Sequence, residues 1–244
     1  MRLAGKTAIV TGGGSGFGAG IARKFIAEGA RVVIADINLA AVESLSDELG
    51  TAAYAAHVDV ADLGSVSELA NQAEKDVGAV DIVINNAGVT HLPTPLEEVS
   101  EEDFDRVFSV NCKSVYLTAK TFVPAMKARG AGAILNIAST AGVSPRPNLN
   151  WYNSSKGWMN TATRTMAVEL APFGIRVNAI NPVAGETPLL ASFMGEDTPE
   201  IRARCARDTP GIRARCARDA RVRYRRTISR GRARSRRDLD VISA

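Results

Sequence analysis

Thr7-Ala8-Ile9-Val10-Thr11-Gly12-Gly13-Gly14-Ser15-Gly16-Phe17-Gly18 lies near the start of the 244-residue chain, and its reading decides the fold. A short β-branched run passes directly into a turn with five glycines, and a helical pattern follows. A tight turn needs glycine where φ is positive, and a close-packed ligand needs backbone without Cβ. The helix start beyond offers unpaired N–H groups and a positive dipole end to a phosphate. Such a unit reads either as a plain loop or as a dinucleotide-binding turn. Asp36 favours the second, because it ends the next strand pattern about twenty residues on, where a carboxylate accepts both ribose hydroxyls. The same charge repels a 2′-phosphate, and Ile37-Asn38 bring no cation to offset it, so NAD is favoured over NADP.

Outward from this turn, β-branched runs alternate with longer helical patterns. Strands are expected at 7–11, 31–36, 52–58, 82–85, 133–138 and 176–181, and helices at 18–28, 39–49, 65–77, 101–127 and 152–170. Several strands are apolar throughout, as when helices cover both faces. The expected fold is α/β: a doubly wound parallel sheet with helices on both faces, a Rossmann-type single domain. Ligands of such sheets bind at the carboxyl ends of the strands, and the motifs fall there.

Composition narrows the alternatives. The chain is 45% hydrophobic with no apolar run of about 20 residues, so no membrane span is expected, and the start shows no signal-peptide pattern. Cys112, Cys205 and Cys216, with His57 and His91, have no metal-clip spacing, and no metal is expected. The net charge of +4 conceals a division. Residues 1–201 carry −7, whereas 202–244 hold fifteen arginines against four aspartates. The division of the chain is thus 1–200, dinucleotide-binding and catalytic, and 201–244, an aberrant arginine-rich tail. A cytoplasmic location is expected.

A second group of residues stands further along: Asn85-Asn86-Ala87-Gly88, Asn111, Ser139 at a strand end, and Tyr152-Asn153-Ser154-Ser155-Lys156. Tyr152 and Lys156 are four apart and share a helix face. A phenol with a pKa near ~10 is a poor base at neutral pH, and a neighbouring ammonium favours its phenolate. Ser139 can hydrogen-bond the same substrate oxygen. A Tyr-x-x-x-Lys pair alone also reads as a solvated helix face.

With the glycine turn, these residues resemble the short-chain dehydrogenase/reductase family over residues 1 to about 200. The resemblance implies hydride transfer between NAD and a secondary alcohol or ketone, with Tyr152 as acid/base and Ser139 positioning the substrate oxygen. Lys156 would lower the tyrosine pKa and bind the nicotinamide ribose, and Asn111 would hold a water in a proton relay. The cofactor would lie on Gly12, Ser15, Gly16, Phe17 and Gly18, beside Asp36 and Ile37. Asp59 and Val60 would hold the adenine, with Asn86, Ala87 and Gly88 at the central strand, where the motif also stabilises the sheet. Pro182, Val183 and Thr187 would complete the site, Thr187 at the carboxamide. Here the chain reads Asn181-Pro182-Val183-Ala184-Gly185-Glu186-Thr187, where the family has Pro-Gly, so the loop path differs. The family also implies a homo-oligomer, a dimer or homotetramer.

Candidate pocket residues are His91, Thr140, Ser144, Arg146, Asn150, Trp151 and the stretch 186–194. Arg146 reads as a partner for a substrate carboxylate or phosphate, or as a solvated loop arginine between two prolines. Two other functions stay open: an NADP-dependent 3-oxoacyl-thioester reductase, and a non-enzymatic NAD-binding protein whose basic tail binds nucleic acid. The tail offers only Tyr224 for base stacking, which disfavours the last.

The tail departs from the family's closing helices and strand. An eleven-residue segment, 198–208, recurs almost unchanged as 209–219, and arginine-rich sequence follows. Permitted codons allow 226–235 to read, one frame over, Asp-Asp-Ile-Ala-Gly-Ala-Cys-Ala-Phe, the helix the family has there. Residues 202–237 are therefore read as a frame-shifted or misreported segment.

Overall fold

The computed structural model describes residues 1–183, 185 and 187–194. The tail expectations, including the frame shift and the 201–244 boundary, lie outside the described residues.

Six strands form one parallel sheet: β1 (Thr7–Thr11), β2 (Arg31–Asp36), β3 (Ala53–His57), β4 (Ile82–Asn85), β5 (Gly132–Ile137) and β6 (Ile175–Ile180). Their order is β3-β2-β1-β4-β5-β6, so the strand order reverses between β1 and β4. All five pairings are parallel. Every residue of β1 is buried, as a central strand covered on both faces requires.

Alternation along β1 separates two cores. Ala8 and Val10 face a cluster with Val32, Ile34 and Ile84, closed by α1 (Gly16–Ala27) and α2 (Leu39–Leu49). Ile9 faces the other side, with Val33, Val83 and Ile134, under α3 (Leu63–Val77), α5 (Ser114–Arg129) and α6 (Asn150–Leu170). Helix starts follow local chemistry. The side chains of Asn38 and Asp62 accept from Ala41 and Ser65 N–H groups at 3.2 and 2.7 Å, and Ser100 caps α4 (Glu101–Phe108).

The helix expected over 101–127 is divided. α4 ends at Phe108, a π-turn runs Ser109–Lys113, and α5 begins at Ser114. Asn111 is anchored by side-chain bonds to the chain beyond β4, and the helix accommodates this with one wide turn. A short α7 (Pro188–Met194) lies within the stretch expected only as pocket lining.

A polar ladder crosses the second core. Thr118 Oγ1 donates to Asn85 Oδ1 at 2.9 Å, Asn85 Nδ2 to Asn136 Oδ1 at 2.8 Å, and Asn136 Nδ2 to Thr163 Oγ1 at 2.8 Å. All four side chains are buried and each is paired, which turns a polar liability into a brace between α5, the sheet and α6.

Candidate active site

The glycine turn is shaped for close approach. Gly12 and Gly16 have φ of +61° and +50°. A Cβ on Gly18 would lie 2.1 Å from the Gly12 carbonyl oxygen, so α1 can press onto the turn only because residue 18 lacks one. Asn86 Nδ2 secures the turn from the other side of the reversal point, donating to the Thr11 and Gly12 carbonyls at 3.0 and 2.9 Å. Ser15 caps α1 without a side-chain bond, leaving the helix's first N–H groups to a ligand. This donor set suits a pyrophosphate.

Asp36 ends β2 with its carboxylate on the turn, accepting from Gly14 N–H at 3.0 Å and from Asn38 N–H at 3.0 Å. Ile37 beside it is 67% exposed, an apolar surface for a flat base. Asp59 is held by Ala61 N–H and by the Ser65 hydroxyl, and Val60 is buried. Ala87 N–H and Asn86 N–H both donate to Thr11 Oγ1. A Cβ on Gly88 would lie 3.3 Å from both Asn111 Oδ1 and Lys156 Nζ, so Gly88 links the cofactor turn to the second group.

The loop after β6 returns to this crevice. Pro182 O accepts from Thr140 N–H and Oγ1, while Val183 is exposed. A Cβ on Gly16 would meet Thr187 Cγ2 at 2.8 Å, and one on Gly185 would meet the Phe17 ring. Thr187 therefore lies against the glycine turn despite the altered Pro-Val sequence.

Ser139, Tyr152 and Lys156 converge. Ser139 Oγ accepts from Ala141 N–H at 3.1 Å, opening a 3-10 turn at Thr140–Gly142. Burial raises the Tyr152 pKa, while nearby Ser139 and the Arg146 charge oppose the rise. Lys156 Nζ is buried, donates to Ile137 O at 3.0 Å and lies 5.9 Å from the centre of the Tyr152 ring. Desolvation lowers its pKa to about 8.

Asn111 spends both of its side-chain N–H donors, while its Oδ1 accepts one bond and keeps a second lone pair. Its Nδ2 donates to Val89 O and Ser155 Oγ, and its Oδ1 accepts from Val89 N–H, all at 2.9 Å. Ser155, which sequence reading passed over, donates to Tyr152 O at 2.7 Å and so ties Asn111 to the tyrosine's helix.

Two pocket candidates are placed differently. His91 is buried with 1% exposure, its Nδ1 lies 2.7 Å from Leu92 O, and its Nε2 is enclosed without a partner. The loop folds inward because Thr94 N–H bonds Asn148 O, so His91 is packing and not pocket entrance. Trp151 turns away from Tyr152, with Nε1 donating to Leu96 O and its ring edge-on to Phe104 at 5.2 Å. Phe193 of α7 does reach the site, edge-on to the Tyr152 ring at 4.9 Å. Among the described residues no acidic, histidine and cysteine cluster could hold a metal.

A reversal-point glycine turn facing a Ser–Tyr–Lys cluster defines a dinucleotide-dependent oxidoreductase. The chain belongs to the short-chain dehydrogenase family, whose model matches residues 6–197. It is 45% identical over 203 residues to a 4-formylbenzenesulfonate dehydrogenase of Comamonas testosteroni, covering 82% of this chain and 81% of the relative. It is 42% identical over 190 residues to the L-xylulose reductase of Bos taurus, covering 78% and 75%. A solved 3-ketoacyl-(acyl-carrier-protein) reductase from Brucella melitensis, complexed with NADH, superposes with a TM-score of 0.77 at 43% identity, covering 85% of this chain and 92% of that one.

Proposed function

We propose that this oxidoreductase interconverts a secondary alcohol and a ketone with NAD(H), using Ser139, Tyr152, Lys156 and Asn111. The observation that carries the reading is the buried Tyr152–Lys156 pair, the ammonium 5.9 Å from the ring centre, which Gly88 joins to the glycine turn. Bound on that turn, NAD supplies or accepts the hydride at the carbinol carbon. Ser139 donates to the substrate oxygen, and Tyr152 gives it a proton in reduction or takes one in oxidation. Lys156, with one carbonyl partner, has N–H donors left for a ribose hydroxyl, and its charge favours the phenolate. Asn111 acts by position, fixing the loop of Val89 and the helix of Tyr152. Burial of the phenol excludes bulk water from the transfer.

Asp36 supports NAD over NADP, because its carboxylate is fixed by two backbone N–H groups and cannot swing aside for a 2′-phosphate. The NADH in the Brucella melitensis reductase agrees with this, and relatives named for galactitol and L-xylulose support an alcohol or ketone substrate. The reading extends to residues 1–200 as one catalytic unit in the cytoplasm and to a homo-oligomer. An apolar groove between α5 and α6, lined by Val115, Ala119, Val123 and Met166, offers an oligomer contact. The acyl-thioester reductase reading draws on the likeness to that 3-ketoacyl-(acyl-carrier-protein) reductase and yields if NADPH is unused.

The test is a substrate screen with both reduced cofactors. Turnover with NADH at least ~10-fold above NADPH, reversed or levelled in Asp36→Ala, is the expected result. Equal use of NADPH by the unaltered protein overturns the NAD assignment, and no turnover with any carbonyl compound overturns the enzyme.

A further inference from the structure

The chain after β6 brings an aromatic side chain to the reacting group. Its first part rests on the cofactor turn: a Cβ on Gly16 would meet Thr187 Cγ2 at 2.8 Å, and one on Gly185 would meet the Phe17 ring at 2.4 Å. Thr187 O accepts from Leu190 N–H at 2.9 Å as α7 begins. Towards the far end of α7, the half-buried Phe193 ring stands edge-on to Tyr152, with centroids 4.9 Å apart and planes at 67°. Rings at that separation are in contact. Tyr152 is 4% exposed, so Phe193 helps to cover a ring whose hydroxyl must still meet the substrate. A group carried on the reacting carbon therefore comes within reach of Phe193.

The polar side chains around Tyr152 are turned towards the protein. Asn153 Nδ2 donates to Arg146 O at 2.7 Å, Ser155 Oγ to Tyr152 O at 2.7 Å, and Thr140 Oγ1 to Pro182 O at 3.3 Å. Asn111 Nδ2 donates to Val89 O and Ser155 Oγ. A substrate with several hydroxyls needs a partner for each one it buries, and these side chains offer it no free donors. Apolar surface stands open instead. Pro182 O accepts from Thr140 N–H, and Thr140 O from Val143 N–H, both at 3.0 Å, which gathers Val183 and Val143 on segments joined next to Ser139. They are 48% and 71% exposed. A site with few polar groups and open apolar walls suits a flat apolar ligand.

Resting on the oxidoreductase reading, we infer that Phe193 is a specificity-determining residue, and that the substrate carries an aryl or similarly flat apolar group on the reacting carbon, not a chain of hydroxyls. The aryl group takes the edge or face of Phe193, while Ser139 and Tyr152 hold the oxygen.

The experiment has two arms, each run on the full-length protein, Phe193→Ala and Phe193→Leu. In the first, acetophenone and dihydroxyacetone are reduced with NADH. The expected kcat/KM is at least ~10-fold higher for acetophenone, with the ratio falling about tenfold in Phe193→Ala through the KM of acetophenone and recovering in part in Phe193→Leu. In the second, the inert amides benzamide and glycolamide are titrated calorimetrically in the presence of NADH. Benzamide should bind about tenfold tighter, and Phe193→Ala should level the two. NADH affinity in the same titrations reports that the fold is kept, and Phe193→Leu carries the comparison if Phe193→Ala loses it. An equal loss for both ketones makes Phe193 structural and overturns the inference, as does no loss for either. A preference for dihydroxyacetone also overturns it and hands the flank to the exposed side chains of Ser144 and Arg146. If no carbonyl compound turns over, the oxidoreductase reading fails and the amide arm decides alone. Benzamide no tighter than glycolamide, including no binding of either, then overturns the inference.

Discussion

Lys156 shows how a single side chain sets stability against function. Its ammonium is buried with one carbonyl partner, and its pKa falls to about 8 against an ordinary 10.5. A lysine whose folded pKa is depressed binds fewer protons folded than unfolded between those values, so stability rises with pH across that window. Below pH ~8 the full cost of burying the charge is present, and above ~10.5 it is gone. Lys156→Met should therefore melt a few degrees above the unaltered protein at pH 7, lose that advantage by pH ~10.5, and lose nearly all turnover. Calorimetric melting across this range with parallel assays checks both. Tyr152→Phe should keep NADH affinity and lower turnover by about 10²–10⁴, as expected for loss of the proton donor.

At the scale of elements, the glycine turn and the divided α4–α5 segment show what could be read in advance. Strand positions were legible because parallel strands buried on both faces leave uninterrupted apolar runs, and β1, β2 and β4 match their expected bounds. Asp36 was legible from its place at a strand end after the glycine turn, whereas the Tyr152–Lys156 pair, which alone also suits a solvated helix face, was legible only beside Ser139 and that turn. The π-turn at Ser109–Lys113 was not, since one widened turn leaves apolar periodicity almost intact and its cause, Asn111 bonding Val89, is distant in sequence. His91 was misjudged because loop polarity does not reveal inward folding. It is the bond from Thr94 N–H to Asn148 O that draws the two loops together. Asn136, an amide in an apolar strand, was the available sign of the buried ladder. Gly18→Ala places a methyl 2.1 Å from Gly12 O and 2.6 Å from Asn86 Nδ2. It should cost about 1–3 kcal/mol by urea titration and abolish NADH binding. Asn111→Ala frees Val89 N–H and O together and should cost about 1–3 kcal/mol while lowering turnover with unchanged cofactor affinity.

For the whole molecule, the surface carries the remaining information. Tyr116 and Trp158 are 54% and 41% exposed at the α5–α6 groove, more aromatic surface than a solvated helix pair needs. If that groove is the subunit contact, Trp158→Glu should convert the oligomer to a smaller species by light scattering and leave the monomer's secondary structure intact. The family match ends at residue 197, shortly before the arginine-rich segment begins. Intact mass and peptide mapping beyond Glu200 should return family-like peptides if 202–237 is frame-shifted, and arginine-rich ones if it is not.

The ladder from Thr118 to Thr163 also has a consequence for how the chain reaches this state. Asn85 and Asn136 are opposite each other in the β4–β5 pairing, though 51 residues apart. If β5 docked one residue out of step, Asn136 would turn to the other face and strand both amides in an apolar layer. Apolar strands rich in isoleucine and valine tolerate such a slip, because one aliphatic side chain can stand in for another. The amides do not, so they act as a proof-reading device that rejects misaligned sheets before the site assembles upon them.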